Sequence, residues 1–483
     1  MFISPETISF YLPSFDLEIS SFLLILATLI PFLGMSCTGK DDHEDCDCEH
    51  HGEHHIDLES LEKNVVELEN VSSRTLEQTE QLAELYVVWA TCKYGGGEEL
   101  DGIIDLLAKA EDILKEALAE KEDDEIRRRL GNVSMHRAEV YNDFDEVDLA
   151  LEYYEKSIDT FKPLDDKGDG EAKYDIAGIR LNRGTIYHEI GEFEKARADL
   201  DDSFMAYRAV EKISDLDTRY YMAKVSVAQG SLMRDMGEPL EKIVDAYNRA
   251  MRLFVELIDI GQIEHERDLA NVLMDRCTAT YEDYLGKEFE SEEERQNKFG
   301  DILVNVERGV EILEKIVRQG HEEARYDLFN ALLTEGSMLL DIERYAEAYK
   351  IFERVVNEFS EFANDSDPVL LNFFATAHEN RGICSLNLDN PDEALADIGE
   401  AIRLREKIVS EEFGLDEDSK AIFISGLATT LANRANAHFS KGDTDKAMTD
   451  GQRGLDLIRS LDDEDGEFRE IEQLFESLLD QWK

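Results

Sequence analysis

Proline is scarce in this chain: 7 in 483 residues, with none between Pro31 and Pro163. An interior proline removes a backbone donor and clashes with the preceding helical turn, so so long a gap points to an all-helical chain. Basic residues are scarce too, 51 Lys and Arg against 110 Asp and Glu, a net charge of -59. Such a field repels phosphates and anionic head groups, which excludes nucleic acid as a partner and steers basic partners inward. Catalytic and nucleotide motifs are missing. Gly95-Gly96-Gly97 is not followed by Lys and Ser or Thr, no G-x-G-x-x-G follows a strand, and His188-Glu189 and His321-Glu322 each lack the second His of a zinc-protease helix. No nucleophile, base and orienting group assemble from what remains, so the chain does not read as an enzyme. Asp165 to Gly170 (DDKGDG) lacks two ligands of a calcium loop and reads as a polar connection. Cys92, Cys277 and Cys384 stand singly within helical patterns and read as small core residues.

What is present is a repeating unit. In Leu181 to Ser203 (LNRGTIYHEIGEFEKARADLDDS), Gly184, Tyr187, Gly191, Phe193, Ala196 and Ser203 set small and large apolar positions on two amphipathic helices joined at a Gly-Glu corner. Small residues mark where paired helices approach closely, and Gly191 stands where the first helix must stop. Ala138, Tyr141, Ala150 and Ser157 make an earlier copy, and Gly230, Met233, Gly237, Ile243 and Ala250 a later one, at equal steps of 46 residues (184 − 138 and 230 − 184). Thr91, Ile103 and Ala110 form a degenerate first copy. Cys277, Leu303 and Val310 form a stretched one, whose charged insert from Gly286 to Lys298 reads as a longer loop or a helix extension. Gly336, Leu339, Tyr345, Ala348 and Val355, then Gly382, Ala394 and Ala401, then Ala435, His438, Gly442, Ala447 and Gly454 complete the series. Ser72 and Ser73 offer caps for the first long helix, and Pro163 and Pro239 are expected just past one helix and at the first turn of another.

These residues resemble a tetratricopeptide repeat, whose small, aromatic, Gly, aromatic, Ala, small pattern has this spacing. The resemblance implies an all-α, right-handed α-solenoid of about eight helical hairpins closed by a C-terminal capping helix. The family's repeat is near 34 residues. A step of 46 shares twelve more between two helices and lengthens each by about 9 Å.

The chain divides into an apolar N-terminal segment (1–36), an acidic Cys/His tail (37–56), the repeat region (57–461) and the capping helix (462–483). Phe22 to Leu33 is too short to span a bilayer, which takes roughly 20 residues. No basic residue precedes Lys40, so the segment reads as a mis-called extension with translation starting at Met35. The alternative is a membrane anchor or export signal, and membrane contact then depends on retaining 1–36; otherwise the protein is expected in the cytoplasm. The tail carries three of the 6 cysteines and five of the 11 histidines. Cys46, Cys48, His50, His51, His54 and His55 are candidate ligands for loosely bound Zn, Ni or Cu, with adventitious chelation as the alternative; no other cofactor is expected.

Arg183 precedes Asp199, Arg381 precedes Asp397, and Arg434 precedes Asp450, each by 16 residues on the two helices of one repeat. Three structural ion pairs are expected. Arg137 and Arg276 share the helix position, but Tyr153 and Val306 stand where the Asp would be. The resemblance further implies that the inner helix of each repeat lines a concave groove, where Asn182, Asn380 and Asn433, with Tyr187 nearby, are candidate contacts to a bound peptide. The function these features imply is a non-catalytic scaffold binding a basic peptide or protein. The alternative is a metal-handling protein that uses the Cys/His tail and docks through the repeats.

Overall fold

In the computed structural model the described residues are 58–97, 99–210, 215–361, 367–410, 413–415, 417–461 and 468–482. They form eighteen α-helices and no strand. None of these helices is long and apolar enough to cross a membrane.

The chain separates into two compact units at Gly237/Glu238. The first contains α1 (Leu58–Glu69), α2 (Leu76–Gly95), α3 (Leu100–Glu120), α4 (Asp124–Asp143), α5 (Val147–Asp165), α6 (Gly170–Glu189), α7 (Phe193–Val210) and α8 (Asp215–Asp235). The second contains α9 (Leu240–Asp259), α10 (Glu266–Leu285), α11 (Glu292–Arg318), α12 (Ala324–Asp341), α13 (Tyr345–Glu358), α14 (Pro368–Asn387), α15 (Pro391–Val409), α16 (Glu417–Ser440), α17 (Thr444–Arg459) and α18 (Arg469–Trp482). In the first unit α2 to α7 fall into three successive pairs, and in the second α10 to α17 fall into four.

Within each unit every helix packs against its neighbours in sequence, and first helices also touch the next first helix: α2 on α4, α6 on α8, α10 on α12, α12 on α14 and α14 on α16. Among the described residues, no second helix touches the next second helix as extensively. The first helices thus form the tighter row. In the regular copies the helices run 18 to 21 residues, which is where the residues beyond an ordinary repeat are spent. The insert of the stretched copy is a helix extension, since α11 begins at Glu292 and runs 27 residues.

The corners share one construction. Gly191 has φ 77°, and the Glu192 amide reaches back to the Tyr187 carbonyl at 2.8 Å. This bond satisfies a carbonyl that the helix end would otherwise orphan. The same long return bond closes the corners at Glu146, Arg344, Asn390 and Asp443. The left-handed residue is Gly442 at the last of these, but Asp145, Glu343 and Asp389 at the other three, with φ of 60°, 64° and 67°.

The small positions sit where the pairs touch. A Cβ on Gly184 would lie 3.1 Å from the Leu200 side chain, and one on Gly336 would lie 2.7 Å from the Phe352 ring. Buried Ser157 and Ser203 on the second helices each donate to a first-helix carbonyl 26 residues earlier, of Gly131 and Ala177, at 2.8 and 2.7 Å. At the C-terminal end, Phe468, Ile471, Phe475, Leu479 and Trp482 of α18 cover the apolar face of α16 and α17.

Two local expectations are corrected. Thr75, not Ser72 or Ser73, caps α2: its hydroxyl accepts from the Gln78 amide while the Gln78 side chain accepts from the Thr75 amide, satisfying two free donors at once. Pro163 lies inside α5, two residues before its end. A proline needs no donor of its own, and at this position its cost falls on a single last-turn hydrogen bond.

Candidate interaction surface

The residue just before the small position of each first helix is where the repeats spend their arginines. Arg183 grips Asp199 through Nε and an Nη, at 2.7 and 2.9 Å. Arg381 grips Asp397 at 2.8 and 2.5 Å, and Arg434 grips Asp450 at 2.7 Å through both nitrogens. A planar guanidinium meets a carboxylate edge in this two-pronged way, which fixes both side chains. Burial alone would raise the Asp397 carboxyl, but hydrogen bonds from His378 and Arg381 hold it below the ordinary carboxylate value.

Where the Asp is replaced, the arginine finds another partner. Arg137 lies 4.1 Å over the Tyr153 ring and pairs with buried Glu111. Arg276 donates to Asn248 at 2.9 Å and Asn305 at 3.3 Å. Gln229 holds the position in α8 and donates to Asp201. Glu335 holds it in α12, with the charge reversed.

A second series was not visible in the sequence reading. At the C-terminal ends of the first helices, Tyr94 donates to Asp143 at 2.8 Å, His188 meets Asp235 at 2.7 Å, and Tyr281 donates to Asp341. Each tie joins one first helix to the next. The signal is in the spacing: His188 and Asp235 are 47 residues apart, one more than the repeat step. His188 is therefore part of this series. At Asp235, burial would raise the carboxyl, and the His188 and Arg234 hydrogen bonds hold it down.

The candidate groove asparagines divide. Asn182 is half-buried beside the buried Tyr154 hydroxyl. Asn380 is 2% exposed and its amide faces Ser337 at 3.4 Å. Both are turned to neighbouring side chains, because α-helices packed this closely enclose that edge of the first helix. Tyr187 is half-buried, with the Arg183 guanidinium and the Lys195 ammonium over its ring at 5.8 and 5.3 Å.

Asn433 is 4% exposed and belongs to a buried network. Arg405, at 6% exposure, reaches from α15 to Glu379 of α14 at 2.5 Å, and also donates to Thr376, Thr430, Asn372 and the Gly426 carbonyl. Glu379 in turn accepts from Asn433 Nδ2 at 2.9 Å. A carboxylate only accepts, so this contact fixes the amide orientation. It leaves Asn433 Oδ1, and Asn436 Nδ2 one turn on, without protein partners.

Among the described residues, no group of three or more His, Cys, Asp or Glu could hold a metal ion. Cys46, Cys48, His50, His51, His54 and His55 lie outside the described residues. The DDKGDG segment is a helix start: Asp169 accepts from the Glu171 and Ala172 amides and pairs with Arg128 at 2.6 Å. Burial pushes the Cys277 and Cys384 thiols up to about 11 and about 12, so both remain unreactive core groups.

Paired helices, a glycine-like corner and a tighter first-helix row define a known architecture. The chain is an all-α protein of successive helical hairpins, an architecture like that of tetratricopeptide repeats. No protein-family model and no curated protein matches it. Among solved structures it is similar to the apo form of RapI, at 16% identity over 73% of this chain and 85% of that one, with a TM-score of 0.49. It is similar to BtubC from P. vanneervenii at 18% identity over 54% and 90%, with a TM-score of 0.42. A signal-transduction ATPase with a tetratricopeptide repeat sensor, from Pyrococcus horikoshii, is similar at 13% identity over 78% and 54%, with a TM-score of 0.38. Scores this low leave the architectural assignment to the hairpins themselves.

Proposed function

We propose that this protein is a non-catalytic interaction scaffold that binds a basic segment of a partner protein along the first-helix face. The observation that carries the reading is where the scarce cations go. Arg137, Arg183, Arg354, Arg381, Arg405 and Arg434 all turn their guanidinium groups to acids within the fold. Each such pair removes a cation and an acid together, so the whole net charge of -59 is left on acids without a cation, and that field selects cationic partners. On that face, half-buried Asn182 and Tyr187 are the candidate contacts to a bound backbone, whereas Asn380 and Asn433 are packed away from it.

The test is capture of partners by the full chain at low and high salt, followed by mass spectrometry. Basic partners released by salt support the reading, and a salt-insensitive set of acidic partners overturns it. A second reading follows from the clustered Cys and His between residues 37 and 56, a tail that handles a transition metal while the repeats dock a client. Equal zinc affinity of the full chain and a variant lacking that tail would remove it.

A further inference from the structure

Glu335 is the one place in the repeat series where the position otherwise given to Arg, Gln or, in the first copy, Ala90 carries a negative charge. Five other copies place Arg there: Arg137, Arg183, Arg276, Arg381 and Arg434. The residue sixteen places on, Asp in three of them, is Ile351 in this copy. The internal tie is therefore missing on both sides, and what stands in its place is a carboxylate on a residue only 8% exposed.

Its surroundings supply only one counter-charge, and that one is shared. From α11, Glu307 and Glu314 face it, and from α13, Arg354. Arg354 is already shared between Glu314 at 2.7 Å and Glu358 at 3.0 Å. Arg344, which interacts electrostatically with Glu307, is engaged with Glu347. Glu335 makes no hydrogen bond or ion pair with any described residue, and its oxygens are not sealed from solvent. A buried carboxylate without a partner is a standing cost, and burial together with Glu307 pushes Glu335 up to about 7.

We infer that Glu335, with Glu307 at its rim, is a socket for a single Arg or Lys side chain of the bound partner. The incoming cation would occupy the charge position that Arg183, Arg381 and Arg434 fill from within their own repeats. This rests on the proposed binding of a basic segment and assigns that segment one anchoring residue. An arginine suits the socket best, because its guanidinium can bond Glu335 and Glu307 together and is less strongly hydrated than an ammonium.

The test uses the full chain and fluorescent nona-arginine as the probe, read by anisotropy at low salt. Glu335→Gln should weaken binding at least tenfold, and Glu307→Gln should weaken it less. Glu146→Gln, which removes the same charge at an exposed corner of the other unit, should change it less than twofold. The double variant Glu335→Arg/Ile351→Asp rebuilds the tie of the other repeats and should fold but bind no better than Glu335→Gln. If Glu335→Gln and Glu146→Gln behave alike, binding is by the general field and the socket is overturned while the scaffold reading stands. If nona-arginine does not bind the wild-type chain at all, the basic-segment reading fails and the socket with it.

Discussion

Removing Arg405 should destabilise the second unit far more than its surface-like chemistry suggests. Arg405 and Glu379 are each 6% exposed, and their contact is 2.5 Å. Arg405→Met removes the donors to Glu379, Thr376, Thr430, Asn372 and the Gly426 carbonyl together. Glu379 then keeps only the Asn433 amide. Breaking one side of a buried pair costs about 3–5 kcal/mol, because the other charge stays desolvated. Glu379→Leu should cost a similar amount, now for an uncompensated guanidinium. The double variant should cost less than the sum of the two by at least about 2 kcal/mol, since no charge is left behind. Urea unfolding followed by far-ultraviolet circular dichroism reads this as a large fall in midpoint for each single variant and a partial recovery in the double. Single variants that each lose less than about 1 kcal/mol, or a double that equals their sum, would refute the reasoning. The pair would then be no more than a solvated surface contact.

Three further outcomes follow from the same geometry. Glu343→Gly should stabilise the protein by about 1 kcal/mol, measured by urea midpoint, because Glu343 holds φ 64° where an L-residue is strained and glycine is not; Asp389→Gly should gain less, as Asp tolerates this region better. Glu335 is raised from the ordinary 4.5 to about 7, so the native state binds its proton more tightly than the unfolded chain. Its carboxylate therefore costs stability progressively as pH rises through that window, with a ceiling of about 3 kcal/mol at 1.36 kcal/mol per pH unit. Glu335→Gln should be near neutral at pH 4 and stabilising at pH 8, and a pH-independent effect would contradict this. Asp397 is displaced the other way, below its ordinary 3.8, so its contribution is present above that pH and lost as pH falls through the folded value. Asp397→Asn should cost about 1–3 kcal/mol at pH 7, with the gap to wild type closing in acid when thermal melts are compared.

The helical class, the hairpin unit and its 46-residue step were legible in the sequence because they depend on short-range rules. Those rules are the rarity of proline, apolar residues returning on one helix face, and a small residue wherever two helices touch. Arg183, Arg381 and Arg434 could be matched to their acids for the same reason, since both partners sit inside one repeating unit and their offset recurs. Ties between repeats were harder to see. The Tyr94, His188 and Tyr281 contacts to the next first helix join residues whose neighbourhood exists only once one hairpin is stacked on another. The corners show the limit most plainly. Gly191 and Gly442 announce a left-handed residue, whereas Asp145, Glu343 and Asp389 adopt it because the return hydrogen bond and the packed pair impose it. Sequence by itself determined which residues alternate between helix face and corner. Burial decided which polar groups face inward, and so whether an asparagine such as Asn380 is packed away or a carboxylate such as Glu335 is left without its cation. Desolvation is a property of the stack, not of any one residue in it.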